Sequence, residues 1–170
     1  MNYKPITISF KATMLILPLG IIAWYSGNAF IFPSLGPTAY LMAVEWKSKL
    51  SLREVLGGHI CGVIGGAISY FWLVSPATMI NLSGLQSEAG LQIALGAGLA
   101  IFLTSVLMIL TKTSHPPACA TTLILSLGFL PKIYDGFIII FAVAVLYLLY
   151  HFLFMMIEKA NKNRNLNERG

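Results

Sequence analysis

Four long stretches without a charged side chain dominate the chain: Ala12 to Val44, Val55 to Ser87, Ala89 to Thr111 and Gly136 to Ile157. A helix that crosses a bilayer needs about 20 apolar residues. The pattern predicts six hydrophobic segments. The first runs about Ile6 to Ser26, with Trp24 and Tyr25 as interfacial anchors and Lys11 reaching back to the near interface. It resembles a signal peptide and is read as an uncleaved span. The third starts at Ser51-Leu52-Arg53-Glu54, a capping-box pattern, and runs to about Val74. The fourth covers Ala89 to Thr111 and ends at Lys112. The sixth covers Gly136 to Ile157, after a short turn at Pro131 to Asp135, and a polar tail follows.

The second and fifth segments are interrupted. Ser114-His115-Pro116-Pro117-Ala118-Cys119-Ala120-Thr121-Thr122-Leu123 lies between two apolar runs. Adjacent prolines remove two backbone donors and push the preceding residues towards extended geometry, but they suit the start of a helix. The stretch therefore reads as extended backbone that becomes a helix inside the bilayer, which is tolerated only where protein or a water-filled cavity surrounds it. The second segment is broken at Pro33 and again at Gly36-Pro37, leaving helix from Pro37 to about Trp46. Ten helical residues cover about 15 Å, half of a ~30 Å hydrocarbon core.

Composition agrees with a membrane protein. The 170 residues are 57% hydrophobic and 10% charged, against roughly 25% charged in soluble domains. The net charge of +5 does not indicate nucleic acid, because the basic residues flank hydrophobic runs and build no basic face. With six crossings, Lys4, Lys11, Lys47, Lys49, Arg53, Lys112, Lys159, Lys162, Arg164 and Arg169 fall on one side and Lys132 alone on the other. This asymmetry predicts a multi-pass protein of the inner cell membrane with both termini cytoplasmic. Cys61 and Cys119 are isolated fillers, and no metal or cofactor motif is present. Gly58, Gly62 and Gly66, with the neighbouring row Cys61, Gly65 and Ser69, form a small-xxx-small face suited to close helix packing.

Aligning Pro37 with Pro117 pairs Ser34 with Ser114, Thr38 with Ala118 and Ala39 with Cys119. The order of elements is span, broken span, span, twice over. The chain thus reads as one all-α transmembrane domain over residues 1–170. It holds two inverted three-segment repeats, about 5–75 and 89–158, and a tail at 159–170. Inverted repeats with broken helices at matching positions mark transporters. The two half-helix N-termini are expected to converge near the midplane, each with roughly half a positive charge from its peptide dipoles. No Lys or Arg occupies the middle of a span, so the implied ligand is a small monovalent anion.

Three blocks carry a family resemblance: Ser114-His115-Pro116-Pro117-Ala118, Leu35-Gly36-Pro37-Thr38-Ala39 and Arg53-Glu54-Val55-Leu56-Gly57-Gly58-His59. In this order they resemble the HPP family of small integral membrane proteins, some of which are linked to nitrite transport. The resemblance implies a nitrite-like anion. Cys119 stands where that family is expected to have glycine.

The candidate substrate-binding residues are Ser34, Gly36, Pro37, Thr38, His59, Ser114, His115, Pro117, Ala118 and Thr121. His115 can hydrogen-bond or titrate with an anion, or else cap the break with Ser114. His59 can line the inner entrance. Ser34, Thr38, Thr121 and Thr122 can donate hydroxyl bonds to an anion or to their own backbone. His151 reads as interfacial, and Arg53 with Glu54 as a surface pair. The leading function is a small-anion transporter or channel without catalysis, in a homo-oligomer within the lipid bilayer. The alternatives are an intramembrane enzyme using His59 and His115, with Glu54, and a non-transporting scaffold subunit. Under the half-helix reading, Pro117→Ala and Gly36→Leu impair transport and Lys132→Ala matters little.

Overall fold

A computed structural model describes residues 4–27, 29–46, 50–75 and 86–167. The protein is all-α, and the described residues contain no strand. The helices are α1 (Lys4–Ile16), α2 (Leu19–Ser26), α3 (Ile31–Val44), α4 (Leu52–Ser69, continued by a π-helical turn, Tyr70–Val74), α5 (Glu88–Thr111), α6 (Ala118–Ser126) and α7 (Ile133–Asn167). Four stretches are long and apolar enough to cross a membrane: Pro5–Ser26, Leu52–Val74, Glu88–Thr111 and Ile133–Lys159. Two shorter helices remain. With 14 and 9 residues, α3 and α6 reach about 21 and 14 Å and fall short of the core thickness.

The expected segment ends hold at several points. Ser51 caps α4 reciprocally with Glu54: the Ser51 hydroxyl accepts from the Glu54 N–H, and the Glu54 carboxylate accepts from the Ser51 N–H. Lys112 ends α5 in the left-handed region at φ 55°, and the Thr113 N–H returns to the Met108 carbonyl at 3.0 Å.

Other boundaries differ. The first span is interrupted at Leu17–Pro18, because Pro18 cannot donate within a helix. The last span begins at Ile133, inside the expected turn, where the Asp135 carboxylate accepts from the Lys132 N–H. It then continues helical to Asn167 through most of the expected tail. The second segment does not begin its helix at Pro37. Helix α3 starts at Ile31 and runs through Pro33, Gly36 and Pro37. Pro33 is in the first turn, where a missing N–H is an orphan donor in any case. Pro37 removes only the bond to the Pro33 carbonyl, and Pro33 and Pro37 both lie on the exposed face of the helix. Lys47 and Lys49, residues 76–85 of the expected polar loop and the last three residues lie outside the described residues.

Two packing regimes build the bundle. Helices α1, α2, α3 and α7 interlock through large apolar side chains. Ile31, Leu35, Ala39 and Met42 on α3 meet Ile139, Ala142, Val143 and Leu146 on α7, with Leu15, Leu19 and Ala23 from the first span. These positions recur every three or four residues, the spacing of one helix face. Trp46 closes this core against Tyr150, edge to face at 5.3 Å. The Lys11 ammonium sits 4.3 Å from the Trp46 ring centroid, a cation–π contact at the span end. Helix α4 instead packs on α5 and α6 through glycines and small polar residues.

Candidate functional site

The close fit of α4 on α6 positions the site. A Cβ on Gly62 would stand 2.8 Å from the Ala118 carbonyl oxygen, and one on Gly66 would stand 2.6 Å from that of Thr122. A Cβ on Gly58 would strike the His115 side chain at 2.5 Å. The glycine row therefore does more than let helices approach: it sets His115 beside α4. The extended link Thr113–His115 follows from the left-handed turn at Lys112 and from the two prolines. Arg53 donates to the Thr111 carbonyl at 2.9 Å and ties the start of α4 to the end of α5. Glu54 is used separately in the cap, so the expected Arg53–Glu54 pair is replaced by these two contacts.

Five of the sequence-derived candidates meet. Thr38 Oγ1 is 2.9 Å from His59 Nε2 and 3.1 Å from His115 Nε2. His59 Nδ1 is 2.8 Å from Thr121 Oγ1, which is 2.9 Å from Ser34 Oγ. The two imidazole centroids are 5.4 Å apart. Ser34, Thr38, His59 and Thr121 have no exposed surface and His115 has 1%. Residues from α3, α4, the link and α6 thus form one continuous hydrogen-bonded chain, closed to solvent. Its members are neutral hydroxyls and imidazoles, which supply donors and acceptors without a fixed charge.

The other candidates stand apart. Ser114 and Pro37 are exposed, and Gly36 faces open space, where an added methyl would meet nothing within 4 Å. Pro117 is half-buried at the start of α6, and Ala118 is buried against Gly62. Their contribution is to start α6 and set its distance from α4. Thr104 and Thr122, 3.0 Å apart at their hydroxyls, add a second buried pair between α5 and α6. Thr104 follows Gly96 and Ala100 at four-residue spacing, which marks the shared face but not its partner.

The expected meeting of two helix N-termini does not occur. Ser34 lies opposite Thr121 and Thr38 opposite His115, while Phe30, before α3, stacks on Phe129, after α6, at 4.5 Å. The short helices run side by side and antiparallel, so their starts are at opposite ends of the pair. The cause is the earlier start of α3, which makes the helices overlap instead of abut. The first amides of α6 are also committed. Ala118, Cys119 and Ala120 donate to the carbonyls of His115, Pro116 and Pro117 at 2.9, 3.0 and 3.1 Å.

An apolar cleft of about 380 Å³ opens between α4 and α7, lined by residues such as Ile60, Ile64, Phe71 and Phe137. It contains no member of the polar chain. Among the described residues no three His, Cys, Asp or Glu side chains are grouped as metal ligands. Comparison with curated proteins and with solved structures returned no significant match. The family comparison is positive: the description "HPP, transmembrane region" fits residues 2–166, nearly the whole chain, and the protein belongs to the HPP family of membrane proteins.

Proposed function

We propose that the protein carries a small monovalent anion, nitrite foremost, across the inner cell membrane by way of the buried Ser34–Thr38–His59–His115–Thr121 chain. The observation that carries this reading is the convergence of five polar side chains, two of them imidazoles, in one buried hydrogen-bonded chain. Polar and ionisable groups at membrane depth are costly and mark substrate pathways. Family membership supports a transport-type membrane protein. Hydroxyl and imidazole N–H groups suit an anion with one delocalised charge, and a doubly charged anion would find no fixed cation among these residues to balance it.

The antiparallel overlap of α3 and α6 supports two inverted repeats. Helix α3 packs on α1 as α6 packs on α5, and α7 contacts α1 and α3 as α4 contacts α5 and α6. The closed chain corresponds to an occluded stage, and rocking of the two halves would open it to either side. Both termini are assigned to the cytoplasm on the charge asymmetry, and the working unit is assigned as a homo-oligomer because six short segments make a small bundle.

Flux from liposomes containing purified protein tests the reading. Nitrite, nitrate and formate should each move faster than sulfate. Sulfate leading every monovalent anion, or no anion moving, overturns it. Reporter fusions at Gly170 test the orientation, and an external reporter signal sinks it.

A further inference from the structure

We infer that the same chain is a proton relay, so that anion and proton cross together; this rests on the transport reading above. The order of atoms carries the inference. From one end it reads His115 Nε2, Thr38 Oγ1, His59 Nε2, His59 Nδ1, Thr121 Oγ1, Ser34 Oγ, with links of 3.1, 2.9, 2.8 and 2.9 Å. Each hydroxyl has one proton to give and lone pairs to accept. The His59 ring joins its two neighbours through both nitrogens. His115 enters the chain through Nε2, and its Nδ1 forms the end of the sequence of atoms.

Four arrangements of protons on neutral residues satisfy every link, because Thr38 or Thr121 can accept from both sides. In two of them the bonds run one way throughout: in the first all hydrogens point towards Ser34, and in the second all point towards His115. A proton received at His115 Nδ1 converts the first into the second. His115 Nε2–H passes its proton to Thr38 and the Thr38 hydroxyl proton passes to His59 Nε2. His59 Nδ1–H then protonates Thr121, the Thr121 hydroxyl proton passes to Ser34, and Ser34 releases its own to a water molecule admitted when the site opens. One proton enters, one leaves, and every residue ends neutral. Reset requires the hydroxyls to rotate and the imidazoles to turn over. His59 is fully buried, so the relay passes one proton per opening of the site. Nearby titratable groups stay outside the chain: Glu54, Arg53 and Cys61 on α4, Lys112 after α5 and Cys119 on α6 make no hydrogen bond to it.

The test uses full-length protein in liposomes with a trapped pH-sensitive dye and a nitrate gradient. Nitrate is chosen because nitrous acid crosses lipid unaided as the neutral acid and would mask the ratio. The readout is protons moved per nitrate. Wild type should give a ratio near one. Thr38→Val keeps the side-chain shape but cuts the chain between the imidazoles, and should lower the ratio at least tenfold, with Thr38→Ser restoring it. Thr121→Val cuts the next link and should do the same. Nitrate moving without protons in the wild type overturns the relay while leaving the transport reading intact, and a ratio unchanged in Thr38→Val also overturns it. Should no anion move while an imposed pH gradient decays through wild type and not through Thr38→Val, the relay stands and the anion reading fails.

Discussion

Helices α3 and α6 are the two that lie outside the four candidate spans, and both are marked by proline, yet proline acts differently in each. In α6 the pair Pro116-Pro117 lies before the helix, where no N–H is needed, and the link ahead of it is extended. In α3 Pro37 is inside the helix and one backbone bond is simply missing. The polar residues Ser34 and Thr38 point into the bundle, while Pro33 and Pro37 face outwards. Where a proline falls before the first helical residue, as Pro18 and Pro117 do, it marks a break. Elsewhere the packing of the opposite face, here Ile31, Leu35, Ala39 and Met42 in the apolar core, can carry the helix through it.

Substitutions can break this contrast, and their expected effects fall in order. Gly62→Val should be the most damaging, because its side chain would meet the α6 backbone at Ala118. We expect a loss of about 3 kcal/mol, read as a lower melting temperature in detergent, whereas Gly36→Ala on the open face of α3 should fold as well as wild type. Gly36→Leu should for the same reason spare transport, in contrast to the expectation drawn from a helix start at that position. Pro37→Ala restores an N–H to the Pro33 carbonyl and should stabilise α3 by about 2 kcal/mol, within the ~3 kcal/mol helix penalty of proline; a fall in melting temperature would contradict the account of α3. His59→Ala removes the centre of the polar chain and should cut anion flux at least tenfold, as flux against protein-free liposomes would register. Pro117→Ala frees the unfolded chain and should cost about 0.5–1 kcal/mol, the opposite sign to Pro37→Ala. Lys132→Ala, at an exposed position after α6, should leave flux unchanged.

The local chemistry of the fold is largely legible in the chain itself. Ser51 and Glu54 announce a capped helix, Lys112 the end of α5, and His115-Pro116-Pro117 a non-helical link. These signals act over a few residues, so sequence spacing suffices. Pro18 gives little warning because it is a single residue in a long apolar run. Pro37 misleads because the buried face of α3 overrules local propensity. The candidate site is legible in its residue types but not in its pairings. Ser34, Thr38, His59, His115 and Thr121 can be named one at a time. Their chain depends on the antiparallel overlap of α3 and α6, and that depends on where α3 begins. Thr104 and Thr122 can be placed on small faces, while their mutual contact requires the register of α5 against α6.

The spacing of the two imidazoles limits how much charge the site can hold. Unit charges 5.4 Å apart repel by about 3 kcal/mol at an effective dielectric of about 20, roughly a hundredfold bias against two imidazolium ions together. On the proposed relay one proton crosses with each monovalent anion, and the net charge moved per cycle is zero. Such a carrier does no work against the membrane voltage. Its direction follows the concentrations of anion and proton alone, so a cell that collapses its voltage but keeps its pH difference would still accumulate the anion on the alkaline side.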